Sequence, residues 1–116
     1  MMGFRLRQVA IVGNEYEETE EALKSLLDLD VAYRDPGNRP GHEAGVSIFG
    51  LRNFVMPVGN QFLEMVSPLE PGRGSAGGRF IERRNGPGGY MLLFQLPKQE
   101  YESLHLVHSL LNQLID

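Results

Sequence analysis

The chain has no cysteine. Disulfides and thiolate metal sites are therefore excluded. No apolar run approaches the length needed to span a bilayer. The first residues, Met1 to Arg7, lack the apolar core of a secretory signal. Together these absences lead us to expect a cytoplasmic protein with no membrane partner. Positive charge is also scarce. Lys and Arg number 11 against 15 Asp and Glu, a net charge of −4. That balance speaks against nucleic acid as the main partner.

What is present fits one globular domain. The 116 residues are enough for one core, and 41% apolar with 22% charged residues is ordinary for such a domain. Gly (14) and Pro (7) are numerous and concentrate between residues 36 and 90, where long loops are expected. Arg5 to Gly13 reads as a first strand. Asn14 is the candidate N-cap of a helix ending near Asp28 to Asp30. Glu15, Glu17, Glu18, Glu20 and Glu21 crowd its start, as a solvated face favoured by the helix dipole. Ala22, Leu23, Leu26, Leu27 and Leu29 carry its helical apolar spacing. Val31 to Arg34 is a short second strand, residues 35–43 a loop, and Ala44 to Phe49 a third strand. Residues 50–57 either continue that strand beyond a bend at Gly50 or form a fourth, and Gln61 to Ser67 follows. Beyond a Gly/Pro-rich connection with a short helix over Arg79 to Arg84, Tyr90 to Leu96 is a strongly apolar strand. Lys98 to Ile115 then has the pattern of an amphipathic helix. The order is β-α-β-β-β, then β-α.

Glu64 is the sharpest single residue. Strand period places it on one face with Phe62 and Val66, while Gln61, Leu63 and Met65 take the other. A carboxylate among apolar neighbours is costly to bury unless something pairs with it. The partner is water or an arginine such as Arg7 or Arg52 at a sheet edge, or else a metal or ligand in a cavity. Other motifs carry less. Gly72-Arg73-Gly74-Ser75-Ala76-Gly77 matches a dinucleotide-binding pattern, but Pro68 and Pro71 interrupt the strand it needs. It reads as a loop, with Arg73 and Arg79 available to an anion. His105 and His108 stand three apart with no third ligand near in sequence, and His42 lies in the long loop.

Several phrases in order resemble the vicinal oxygen chelate superfamily, the group of glyoxalase I, methylmalonyl-CoA epimerase and extradiol dioxygenases. They are Glu21-Ala22-Leu23, the run from Leu27 to Val31, the run from Met56 to Pro68, and Ile81-Glu82-Arg83-Arg84 before Gly86-Pro87-Gly88-Gly89. The resemblance spans about residues 5 to 115. It implies an α+β fold of β-α-β-β-β modules, each curling into half of a barrel around a cavity. It implies one module over residues 4–67, a connection over 68–89, and the strand and helix of an incomplete second module over 90–116. Metal ligands in catalytic members come from strand positions facing the cavity. The first, usually His, falls on Gln8; the second, Glu or Gln, on Glu64; the third, usually His, on Tyr90 or Met91. With the histidines replaced, the resemblance implies a protein without metal or cofactor. A metal, if held, would be held by Glu64 and Gln8. The expected site binds a small organic molecule through Gln8, Asn53, Glu64 and Tyr90, with Phe62 and Met91 as apolar contacts. Missing strands in module two imply either a chain cut from a longer protein or a second copy that covers the open surface, and in the latter case a homodimer is expected. The competing expectations are a metal-dependent lyase or epimerase completed by a partner chain, and a structural association module or fragment.

Overall fold

The computed structural model describes residues 4–37 and 45–96. The expected helix over Lys98 to Ile115, and with it His105 and His108, lies outside the described residues, as does His42. One five-stranded sheet dominates. Its strands are β1 (Arg5–Val12), β2 (Tyr33–Asp35), β3 (Leu51–Val58), β4 (Gln61–Pro68) and β5 (Gly88–Gln95), in the spatial order β2-β3-β4-β1-β5. β1 and β4 are parallel, and every other pairing is antiparallel. Helix α1 (Tyr16–Leu27) supplies the crossover from β1, and α2 (Ala76–Arg84) stands between β4 and β5. The β3–β4 hairpin closes through Gly59-Asn60, where Gly59 takes a left-handed φ of 61° that glycine reaches without strain.

Register assigns the two faces. Phe54, Met56 and Met65 are fully buried on one face, packed with Tyr16 of α1. Val12, Leu51 and Val66 are buried on the other, packed with Ile81 of α2. The two helices therefore clamp opposite sides of the sheet. α2 sits close because Gly77 faces Leu51 and Val12, and a Cβ there would stand 3.0 Å from the Leu51 side chain. Burying a side chain the size of Phe54 contributes about 1.5–3 kcal/mol.

Several expectations are corrected. Residues 44–49 form no strand among the described residues; Val46–Phe49 is a 3-10 turn. Gly50 (φ 73°) ends it, and the Asp35 carboxylate accepts the Val46 amide at 3.2 Å, which holds the segment out of the sheet. The second strand lies at residues 33–35, not 31–34. α1 starts after Glu15 with no side-chain cap, and Asn14 offers its carbonyl to Tyr16 N instead. α2 begins three residues earlier than expected because Ser75 caps it, accepting from Gly78 N at 3.0 Å. The inner face of α1 is Tyr16, Glu20 and Leu23, while Leu26 and Leu27 are exposed. Glu20 is thus a buried partner, not part of a solvated face.

Candidate functional site

β-bulges decide which side chains reach the α2 side of the sheet. In the pairing of β1 with β5, Leu6 faces Phe94 and Gln8 faces Leu93, so Arg7 is an extra residue. A bulge lets two successive side chains share one face. Arg7 accordingly joins Gln8 on the face that carries Phe62 and Glu64, and its guanidinium lies 4.7 Å over the Phe62 ring. A second irregularity lies between Ala10 and Ile11, opposite Met91 and Gly89, and Tyr90 is the extra residue there. Strict alternation read from sequence would have put Arg7 on the opposite face from Gln8.

Glu64 sits at the middle of this face. Its strand neighbours in register are Ala10 on β1 and Val55 on β3. Among the described residues its partners are two side-chain amides, not an arginine. Gln8 Nε2 donates to Glu64 Oε1 at 2.5 Å, and Asn53 Nδ2 donates to Oε2 at 2.6 Å. One carboxylate on β4 is thus gripped from both sides by neutral amides on the two flanking strands, β1 and β3. Both arginines considered as partners are engaged elsewhere. Arg52 lies 4.2 Å over the Tyr16 ring and 3.4 Å from Glu17, and Arg7 donates to the Asn60 carbonyl at 2.8 Å.

Asn53 is itself held in place. Its Oδ1 accepts from Asp35 N at 3.2 Å, and its backbone carbonyl accepts the Tyr16 hydroxyl at 2.8 Å. Burial pushes the Tyr16 phenol above its ordinary pKa, against the bond from Arg34 that pulls it down. Arg34 also forks onto Glu20 at 2.6 and 2.8 Å. The Arg34 guanidinium holds the Glu20 carboxyl down at about 2, with burial opposing and Lys24 assisting. α1 is therefore bolted to β2 and β3 directly behind Asn53. No sequence pattern marks Tyr16, Glu20 or Arg34 as a unit, because the pairing of β2 with β3 creates it.

The other expected site residues fall as follows. Phe62 lies beside Glu64 on the strand, under Arg7. Met91 stands opposite Ala10 and is 48% exposed. Tyr90 packs edge-on against Phe80, centroids 5.1 Å apart, and belongs to the apolar cluster under α2. The Gly72–Gly77 loop leads into the capped start of α2, and Arg73 is taken by Glu82 at 2.7 Å. An apolar cavity of about 430 Å³ opens at the end of α1, lined by Leu27, Leu29, Leu6, Val9, Val58 and Leu63 together with Gln8, Gln61 and Phe62.

The donors present do not fit a divalent metal. Both Glu64 oxygens already accept an amide N–H. Among the described residues no three of His, Cys, Asp or Glu converge. Glu64 with one amide falls short of the three or four protein ligands a transition metal usually takes.

Comparison with known proteins gives the fold. No family model matches the chain. No curated protein matches it in sequence. Solved structures do match. A hypothetical protein from Bacillus halodurans superposes with a TM-score of 0.69 at 16% identity, over 92% of this chain and 69% of that one. Methylmalonyl-CoA epimerase from Mycobacterium tuberculosis gives 0.68 at 17% identity, over 90% of this chain and 63% of that one. A methylmalonyl-CoA epimerase in complex with methylmalonyl-CoA and ammonium gives 0.69 at 15%, over 94% and 71%. The chain thus spans about two thirds of the length of these proteins. Its fold is the α+β fold of the glyoxalase and vicinal oxygen chelate proteins. Among the described residues no helix is long and apolar enough to cross a membrane.

Proposed function

We propose that this protein binds a small organic molecule on the α2 side of its sheet, without metal, through Glu64 held between Gln8 and Asn53. The observation that carries the proposal is the clamp itself. A half-buried carboxylate that takes two short amide bonds and no cation is oriented but not neutralised. Each oxygen keeps acceptor capacity for a ligand hydroxyl, amide or amine. Phe62 and Met91 offer apolar surface beside it, as binding sites of this kind require. The solved epimerase carrying methylmalonyl-CoA supports the choice of a small organic ligand for this fold. A cysteine-free chain suits the cytoplasm. We also propose a homodimer that uses β5, an edge strand among the described residues, where Met91, Leu92, Leu93 and Phe94 are exposed.

The test combines elemental analysis of untagged protein with a thermal-shift screen of small organic compounds. A ligand at about 100 times its dissociation constant adds about 2.7 kcal/mol. Expected are no stoichiometric metal and at least one stabilising compound whose effect disappears in Glu64→Gln. Stoichiometric Zn, Mn, Co, Ni or Fe, lost in Glu64→Ala, sinks the metal-free reading and favours an epimerase-like enzyme.

A further inference from the structure

Two arginines at the lower end of the same face have no acidic partner among the described residues. Arg5 Nη2 and Arg7 Nη1 both donate to the carbonyl of Asn60, at 3.1 and 2.8 Å. Sharing one acceptor brings two like charges within about 6 Å, where they repel each other. Arg5 also donates to the side-chain amide oxygen of Gln95 at 3.1 Å, and Arg7 rests on Phe62. Every group that holds them is neutral. Neither forms an ion pair among the described residues, whereas Arg34, Arg52 and Arg73 each have a glutamate. Each guanidinium has about five N–H donors, and the pair uses only three hydrogen bonds between them.

The local architecture explains why they meet. Arg5 and Arg7, two residues apart, share a face by strand alternation, and the bulge at Arg7 brings Gln8 onto that same face. The tight hairpin at Gly59 presents the Asn60 carbonyl between the two strands' ends. Without the bulge, Gln8 and Glu64 would face the other way from the pair. Arg79, Arg83 and Arg84 also lack an ion pair among the described residues; what distinguishes Arg5 and Arg7 is that they share one acceptor on the face of Phe62. Paired guanidiniums with free donors match the oxygen geometry of phosphate and carboxylate.

We infer that Arg5 and Arg7 form a binding site for a small oxyanion, so that a ligand of this face carries a phosphate or carboxylate at the Phe62 end. Its role rests on the ligand-binding reading of the face given above, but its existence does not. The strand rise of about 3.3 Å per residue places Phe62 about 7 Å from Glu64 along β4. A ligand reaching both would pair an anionic end with a hydrogen-bond donor roughly that far away.

The experiment is an NMR titration of the intact protein with inorganic phosphate and, separately, acetate, at low ionic strength. The side-chain Nε–H signals of Arg5 and Arg7 are followed to about 50 mM anion. Saturable shifts of both signals are expected, weakened at least about tenfold in Arg7→Gln and in Arg5→Gln. Arg7→Lys, which keeps the charge and loses the fork, retains part of the affinity. Arg73→Gln, at an exposed arginine elsewhere, retains all of it. Phosphate binding tighter than acetate assigns the site to phosphate groups; the reverse assigns it to carboxylates. Absence of saturation, or equal weakening by Arg73→Gln, overturns the inference. Anion binding without any organic ligand would leave this site standing and sink the proposed function. An organic ligand indifferent to both arginines would leave the proposed function standing and overturn the claim that this site holds that ligand's anionic end.

Discussion

Replacing Glu20 by Gln removes a charge from the bolt between α1 and β2 while keeping its shape. The Glu20 side chain is 11% exposed, and its carboxylate takes both prongs of Arg34, at 2.6 and 2.8 Å. Its pKa falls from an ordinary 4.5 to about 2. At neutral pH such a drop corresponds to roughly 3.4 kcal/mol. Arg34 is 39% exposed, so solvent screening reduces the usable part to about 1–2 kcal/mol. For a domain of this size that loss lowers the melting temperature by roughly 4–12 °C. A depressed carboxylate stabilises above its unfolded pKa and loses that contribution as pH falls through its folded pKa. The gap between wild type and Glu20→Gln should therefore be full above about pH 5 and shrink to less than half by pH 3, closing towards pH 2. Urea unfolding at pH 7 and pH 3 measures both gaps. Equal stability at pH 7, or an undiminished gap at pH 3, would refute the reasoning.

Phe54 is fully buried between the sheet and Tyr16, with ring centroids 5.3 Å apart. Phe54→Ala should cost about 3–5 kcal/mol in urea unfolding, and a loss below 1 kcal/mol would mean the α1 side is not the packed core. Asn53→Asp is isosteric but sets a second carboxylate against Glu64 in place of an amide at 2.6 Å. It should lower stability at pH 7 by about 1–3 kcal/mol, with a smaller loss at pH 3, where carboxyl groups take up protons; the same loss at both would deny the contact. The exposed apolar edge at β5 predicts a solution mass of twice 13.0 kDa by light scattering. A monomer mass at all concentrations would contradict the dimer.

Much of the architecture was legible in the sequence because hydrophobic period and punctuation agree there. β1, β3, β4 and β5 carry alternating or continuous apolar runs, and Gly59-Asn60 marks the hairpin. The Val46–Phe49 turn was not legible: its Val-Ser-Ile-Phe composition suits a strand, and only the distant Asp35 carboxylate holds it out. Glu64 announced itself by apolar neighbours, and Gln8 by resemblance. Asn53 reaches it across the β3–β4 hairpin, but that Gln8 reaches it too depends on parallel pairing of β1 with β4, which no local pattern fixes. Arg7 was invisible as a neighbour of Phe62 because a bulge reverses its alternation, and bulges leave little trace in sequence. Glu20 was misjudged for a related reason. Among five nearby glutamates, only tertiary pairing with Arg34 singles it out.

The most direct test of Glu64 as a metal-free binding centre follows the side-chain amide signals of Gln8 and Asn53 by NMR. A small-molecule library and the paramagnetic ions Mn²⁺ and Co²⁺ are added in parallel. The account predicts that organic ligands shift both amides in wild type and neither in Glu64→Gln, while the metals at one equivalent leave them unchanged. Stoichiometric broadening of both amides by Mn²⁺ or Co²⁺, with no organic compound moving them, would contradict it.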